Sequence, residues 1–177
     1  MTEAEQSLND PADMKEITHT FTYRAYENAA GLPGEFLELL ERARESCATS
    51  HAPYSHYHVG AAIRMENGAV IAGSNQENMS FPAGTCAERA ALFAAVSAFP
   101  DIPVMTIAIT AKSDAFPVTE PVTPCGICRQ ALLEYELKFH RKIEIILAGE
   151  TGKVFVIGSV NDLLPLAFVE KGLMKKH

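Results

Sequence analysis

The chain has 177 residues, of which 47% are apolar and 21% are charged, and its formal net charge is −7. This size suits one domain with a substantial core, and the composition is that of an ordinary globular protein. The sequence lacks the basic surface that neutralises phosphates, which argues against a polynucleotide partner and favours a neutral small substrate. It also lacks an apolar run of roughly 20 residues and the pattern of a signal peptide, so we expect no membrane association and a cytoplasmic protein with reduced cysteines.

The first third of the chain combines a polar leader with one amphipathic helix. Residues 1–16 are polar and aperiodic, which predicts disorder, whereas the alternating residues 19–26 predict an extra strand or an arm. Glycine and proline break the chain at 31–34, and apolar spacing then predicts a helix over 35–48. We therefore divide the chain into a leader, residues 1–33, and a single domain, residues 34–177.

The remaining elements alternate between strands and helices, which predicts one mixed sheet with helices packed on its faces, an α/β fold. The predicted strands are 59–65, 70–74, 104–111, 143–147 and 154–157, and the predicted helices are 85–98, 124–138 and 161–168. Asn67-Gly68 is a strong hairpin signal between the first two strands. Thr123 and Pro124 are expected as the cap and first turn of their helix, after a long loop over 113–123.

Three cysteines and one glutamate form the most informative pattern, C-x-E followed by P-C-x-x-C. The first motif contains Cys86 and Glu88, and the second contains Cys125 and Cys128, all expected in the first turns of two helices. Partial positive charge at helix N-termini favours thiolates, and three thiolates leave one position of a tetrahedral zinc for water. Glu88 would then transfer protons as a general acid and base. This is the three-cysteine form of the signature of zinc-dependent base deaminases.

Each part of this pattern also has a simpler interpretation. Thr85 and Glu88 have the spacing of a capping box, in which the glutamate only closes a helix start. The two downstream cysteines could form a redox dithiol or half of a structural zinc site. A structural site needs a fourth ligand, for which the candidates are Cys47, His51, His56 and His58. The combination of motifs favours catalysis, and Cys47 is expected to be a buried, inert thiol.

The charge of such a site needs an additional partner. Three thiolates and one Zn²⁺ sum to −1, which opposes ionisation of a bound water. Arg89 and Arg129 each follow a motif residue directly, so we predict that one or both donate to cysteine sulfurs and offset this charge.

The motifs together resemble the cytidine deaminase family, in its small homo-oligomeric branch with three zinc cysteines. The similar segments follow one another in the expected order: 52–62, 75–78, 86–89, 124–130 and 163–168. The resemblance implies a single-domain α/β/α sandwich around a five-stranded mixed sheet, zinc as the cofactor and assembly into homotetramers. It also implies hydrolytic deamination of cytidine and deoxycytidine, with release of ammonia, in pyrimidine salvage.

The same resemblance assigns substrate contacts. Asn75 and Glu77 would hydrogen-bond the ribose 3′-hydroxyl, although a polar strand end is the simpler reading of the pair. Tyr57 stands near the pyrimidine, where the family usually has phenylalanine. Ala87 would offer backbone groups to the base, and Phe168 would stack on the base in a neighbouring subunit unless it only packs within a helix.

The chain departs from the family before residue 34, at residues 80–85 and in the loop at 113–123. These departures and Tyr57 keep two alternatives open. One is a deaminase of another aminated nucleoside, such as a cytidine-like antibiotic, and the other is a non-catalytic zinc module.

Overall fold

Six strands form one mixed sheet in the computed structural model, which describes residues 14–170 and 172. The strands are β1 (Tyr23–Tyr26), β2 (Tyr57–Met65), β3 (Val70–Ser74), β4 (Val104–Ser113), β5 (Glu144–Ala148) and β6 (Val154–Ile157). Their order across the sheet is β1-β6-β5-β4-β2-β3. Only β4 and β5 pair in parallel, because a helix connects them and returns the chain to the same end of the sheet.

Helices cover both faces of the sheet. The helices are α1 (Gly34–Ser46), α2 (Ala87–Ala98) and α3 (Gly126–Phe139). Successive residues of the central strands alternate between two cores: Ile107 and Ile109 pack in the cluster with α2 and α3, whereas Ala108 packs with α1. The predicted α/β sandwich is thus confirmed. None of these helices, within the described part of the chain, has the length and apolarity needed to cross a membrane.

The sheet has one strand more than the five predicted. The five expected strands are present as β2 to β6, and the sixth, β1, comes from the stretch at 19–26 that was considered as an extra strand or an arm. It pairs antiparallel with β6, with Tyr23 opposite Ile157 and Tyr26 opposite Val154. The leader therefore joins the sheet of the domain. The disorder predicted for residues 1–16 falls mostly outside the described residues, and the division at residue 33 stays a prediction.

Two predicted helix boundaries are wrong. The third helix begins at Gly126 with Cys125 as its N-cap, so Thr123 and Pro124 precede it. The final helix predicted over 161–168 is only a 3₁₀ turn, Val160–Leu163. Pro165 explains the early end, because proline cannot donate a helical hydrogen bond and disfavours helical backbone in the residue before it.

Two glycines allow α1 and α2 to lie directly on the sheet. A Cβ at Gly60 of β2 would lie 2.0 Å from the carbonyl oxygen of Ala43 in α1, and one at Gly73 of β3 would lie 2.5 Å from the backbone nitrogen of Ala91 in α2. Close packing of α2 on β3 places the start of this helix beside the chain that leaves β3.

A buried carboxylate fixes the other end of α3. Glu136 accepts hydrogen bonds from the backbone nitrogens of Ile143 (3.0 Å) and Val160 (2.9 Å) and from the hydroxyl of Ser159 (2.5 Å). The helix, the start of β5 and the segment after β6 are thereby held together, which positions the chain that leads to Phe168.

Gly60→Ala should lower the free energy of unfolding by about 1–3 kcal/mol, because the added methyl group forces α1 away from the sheet. Gly34→Ala is the matched control, since a Cβ at Gly34 has no neighbour within 4 Å. Chemical denaturation followed by circular dichroism measures both variants. Equal unfolding midpoints for the two variants would contradict the close approach.

Candidate metal and active site

Two helix starts bring three cysteine sulfurs together. Cys86 is the N-cap of α2, Cys125 is the N-cap of α3, and Cys128 lies in the first turn of α3. The sequence had placed both within the first turns, Cys86 one position and Cys125 two positions further into its helix. All three sulfurs lie within 4.8 Å of one another, and those of Cys125 and Cys128 are 3.5 Å apart. The positive ends of both helix dipoles thus face the sulfur cluster.

The donor set fits a zinc ion. Tetrahedral zinc with Zn–S distances of about 2.3 Å requires sulfurs about 3.8 Å apart, which matches the spacing of this cluster. Among the described residues, these cysteines form the only group of three or more side chains placed to hold a metal. Cys47, His51, His56 and His58 are not part of it. The described residues therefore supply no fourth protein ligand of the kind that a structural zinc site has, and the cluster is suited to an open coordination position.

Hydrogen bonding within the cluster favours a thiolate. The thiol of Cys128 donates to the sulfur of Cys86 and, together with the guanidinium of Arg89, lowers the pKa of Cys86 to about 5 although burial opposes this change. The same hydrogen bond and burial raise the pKa of Cys128. The cluster thus retains a proton that a bound cation would displace, since metal binding to cysteines releases protons.

The two arginines have different surroundings. Arg89 is close enough to Cys86 to help lower the pKa of its thiol, its Nη2 donates to the carbonyl of Gly84 (3.3 Å), and its buried Nε has no hydrogen-bond partner among the described residues. Arg129 donates from Nε to the carbonyl of Pro124 (2.8 Å) and from Nη1 to that of Leu163 (2.7 Å). The surroundings thus favour Arg89 for the donation to sulfur predicted for one or both arginines, which stays a prediction, and Arg129 ties the C-terminal segment to the start of α3.

Glu88 is buried beside the sulfur cluster. Its exposed fraction is 5%, and burial raises the pKa of its carboxyl group, with a further rise from the nearby sulfur of Cys86. The capping box with Thr85 is not formed, because α2 begins at Ala87 with Cys86 as its N-cap. A carboxyl group with a raised pKa can both accept and donate a proton near neutral pH, as a general acid–base catalyst must.

A cavity of about 640 Å³ opens beside the cysteines. Its lining includes Cys86, Glu88 and Cys125 together with Asn75, Glu77 and Tyr57. Residues predicted from separate motifs, on α2, on α3 and around the ends of β2 and β3, therefore share one pocket of a size suited to a small molecule.

Asn75 and Glu77 are held rigidly in this wall. The amide of Asn75 accepts a hydrogen bond from the backbone nitrogen of Val59 (2.8 Å) and donates to the carbonyl of Tyr57 (2.9 Å). Asn75 thus has the structural role that was its simpler interpretation, but it retains one N–H and one lone pair for a ligand.

Glu77 accepts hydrogen bonds from the Ser55 hydroxyl and from the backbone nitrogens of Tyr54 (2.9 Å) and Ser55 (3.2 Å). These bonds, first the one from the hydroxyl, lower the pKa of the Glu77 carboxyl. The cavity therefore contains a carboxylate that stays ionised.

Ala87 and Phe168 do not line the cavity. Ala87 is buried as the first residue of α2, where its backbone nitrogen has no partner from within the helix. Phe168 lies outside any helix, which excludes the helix packing considered for it, and its side chain is 74% exposed. Gln130 fixes its backbone from both sides, accepting from its nitrogen (3.3 Å) and donating to its carbonyl (3.0 Å).

Sequence reasoning missed part of the wall. The two segments that depart from the family, 80–85 and 113–123, both reach the cavity. They contribute Phe81, Gly84, Thr85, Val122 and Thr123 to its lining. The ring of Phe81 meets that of Tyr54 edge to face at 6.1 Å between centroids. No spacing rule in the sequence links these loops to the cysteines, and the only signal was that both differ from the family pattern.

Comparison with known proteins gives consistent matches. The family model described as the cytidine and deoxycytidylate deaminase zinc-binding region matches residues 35–141. A cytidine deaminase of Halalkalibacterium halodurans is 36% identical over 135 residues, which cover 76% of this chain and 95% of that protein. A probable cytidine deaminase of Dictyostelium discoideum is 32% identical over 143 residues, or 80% of this chain and 89% of that protein.

Solved structures agree with these matches. The crystal structure of cytidine deaminase from Burkholderia pseudomallei matches with a TM-score of 0.66 and 36% identity, covering 77% of this chain and all of that one. The cytidine deaminase of Mycobacterium tuberculosis matches with a TM-score of 0.60 and 28% identity, covering 78% of this chain and all of that one.

Metal content distinguishes the cysteine cluster from the remaining cysteine. Cys128→Ala should abolish zinc binding, because two thiolates cannot hold the ion as three do, whereas Cys47→Ala should retain one zinc ion per chain. The two side chains are matched, since both are buried. Elemental analysis of the purified variants gives the result, and loss of zinc from Cys47→Ala would instead indicate a four-cysteine structural site.

Arg89→Gln should reduce turnover about 10- to 100-fold while zinc stays bound, because the sulfur of Cys86 loses a cationic neighbour. Arg129→Gln should reduce it less, since Arg89 but not Arg129 contributes to the lowered pKa of Cys86, and Arg129 donates to the backbone carbonyls of Pro124 and Leu163. Steady-state rates are normalised to measured zinc content. Equal losses in the two variants at full zinc occupancy would contradict the distinction.

Proposed function

We propose that this chain, which belongs to the cytidine and deoxycytidylate deaminase family, converts cytidine and deoxycytidine to uridine and deoxyuridine by hydrolysis, with release of ammonia. The observation that carries the proposal is the cluster of three cysteine sulfurs with a buried glutamate at its edge, both at the wall of one cavity. Cys86, Cys125 and Cys128 would hold the metal. Bound zinc lowers the pKa of a water molecule and so supplies a nucleophile at neutral pH.

Glu88 transfers the protons in this reaction. The oxygen of water forms a bond to C4 of the base, and the bond from C4 to the exocyclic nitrogen breaks. One proton must therefore leave the water and reach the ring nitrogen, and the departing amine must gain a proton to leave as ammonia. The buried carboxyl group of Glu88, with its raised pKa, is suited to carry protons in both directions.

The lining of the cavity favours a nucleoside over a nucleotide. Among the residues that the structure describes, those that line it include no lysine or arginine, and they include the ionised carboxylate of Glu77. A 5′-phosphate would meet no cation among these lining residues and would be repelled by this carboxylate. We therefore propose free nucleosides as the substrates and pyrimidine salvage as the setting of the reaction.

The other contacts follow from the same placement. Asn75 and Glu77 would bind a sugar hydroxyl with the lone pairs and N–H that their backbone contacts leave free. Tyr57 would lie beside the base. A contact between the backbone of Ala87 and the base rests on resemblance to the family alone, since Ala87 is buried and does not line the cavity.

The assembled protein is a homo-oligomer in this proposal, and a tetramer by resemblance to the family. Phe168 supports it, because its ring is exposed, lies outside the cavity of its own chain and is fixed by Gln130. A second copy would receive this ring against its bound base. A cytoplasmic location is also part of the proposal, since the sulfur cluster requires reduced cysteines.

The function is tested with an ultraviolet assay on zinc-loaded protein. The wild type should convert cytidine and deoxycytidine, and cytidine 5′-monophosphate should react far more slowly because of the charge at Glu77. Glu88→Gln is the matched control, which should retain zinc and lose about 10²- to 10⁴-fold in turnover, since the amide cannot carry the proton.

Two results would overturn the assignment. One is zinc-loaded wild-type protein that leaves the cytidine chromophore unchanged. The other is a wild-type rate in Glu88→Gln, which would exclude this glutamate as the proton carrier.

A further inference from the structure

An aromatic pair lies at the wall of the cavity. The ring of Phe116 stacks on that of Tyr57, with centroids 6.2 Å apart and an angle of 29° between the planes. Tyr57 lines the cavity, whereas Phe116 does not. The direct aromatic route from Phe116 to a bound molecule therefore runs through the ring of Tyr57.

The segment 113–123 that carries Phe116 is tied to the body of the protein before the aromatic ring. Asp114 donates from its backbone nitrogen to the carbonyl of His56 (3.2 Å), and its carboxylate lies 3.3 Å from Nε2 of His58. These contacts join the start of the segment to β2, the strand that begins with Tyr57.

After Phe116, the segment is anchored to the body of the protein a second time. Val118 is buried, its backbone nitrogen donates to the carboxylate of Glu150 (3.1 Å), and its carbonyl accepts from the backbone nitrogen of Glu150 (2.8 Å). Val122 then donates to the carbonyl of Ala148 in β5 (3.4 Å). Phe116 thus stands between two anchored points, although its own side chain is 56% exposed.

The only aromatic contact of Phe116 among the described residues is with Tyr57, and the anchors on both sides of Phe116 hold its ring beside that partner. We propose that Phe116 is a positioning residue, which holds the ring of Tyr57 in the orientation that contacts the bound nucleoside. The proposal rests on the proposed function of the cavity. It extends that function by giving the segment 113–123 a part in substrate affinity.

Replacement of Phe116 by alanine tests the idea. Aromatic pairs of this geometry are worth about 0.5–1.5 kcal/mol beyond their buried area, so KM for cytidine should rise about 2- to 12-fold with little change in kcat. Phe116→Tyr keeps the aromatic face and should restore the wild-type KM. Phe21→Ala is the matched control, because it removes one ring of another partly exposed pair, with Tyr23, outside the cavity lining.

A double-mutant cycle separates positioning from general stability. If Phe116 acts through Tyr57, Phe116→Ala should change KM in the wild type and leave it unchanged in a Tyr57→Ala background. An effect of equal size in both backgrounds, or a KM within the error of the wild type in Phe116→Ala, overturns the proposal.

A direct binding measurement tests the role of Phe116 separately from the proposed catalytic function. Calorimetry of cytidine binding to Glu88→Gln and to Glu88→Gln/Phe116→Ala measures affinity without turnover. A weaker affinity in the double variant supports the role of Phe116, and equal affinities contradict it. Failure of the wild-type protein to deaminate cytidine would instead reject the proposed function.

Discussion

The site depends on two helix starts that lie close enough for three sulfurs to meet within 4.8 Å. Neither helix could provide this cluster alone, because Cys86 caps α2 while Cys125 and Cys128 belong to α3. The packing of the two helices on the sheet brings the sulfurs together. Helix α2 lies against the backbone of β3 at Gly73, and α3 covers the same face of the sheet. Small residues at the contact therefore control the geometry of the metal site, since a side chain there would move a helix.

Three thiolates that lie close together repel one another, and the residues around them respond to this negative charge in different ways. The helix dipoles and Arg89 favour the thiolate of Cys86. Burial has the opposite effect on Glu88, whose carboxyl pKa is raised in the same small volume. Two acidic groups two residues apart are thus shifted in opposite directions: Cys86 toward the thiolate that binds a metal, and Glu88 toward the protonated form that a proton donor needs.

On the wall of the cavity across from the cysteines, the polar side chains are preorganised for a ligand. Asn75 and Glu77 are fixed by hydrogen bonds to the strand and loop that carry Tyr57 and Ser55, so a ligand would meet side chains whose entropy is already lost. Tyr57 is held in turn by Phe116 from a segment anchored at both ends. Phe168 is exposed, at the end of a segment that Glu136, Arg129 and Gln130 hold in place.

Local signals in the sequence were sufficient for the sheet, the hairpin at Asn67-Gly68, the three cysteines and Glu88, because period, turn chemistry and ligand spacing act over a few residues. They failed where the outcome depends on distant neighbours. The helix predicted over 161–168 is a short turn that ends at Leu163, before Pro165, and the two arginines looked equivalent although Arg89, unlike Arg129, contributes to the lowered pKa of Cys86. The loops at 80–85 and 113–123 reached the cavity by packing against chain far away in sequence. Sequence alone thus determined which chemistry the chain carries, whereas the tertiary structure decided which side chains share the cavity, since that depends on how close the packed helices, strands and loops come.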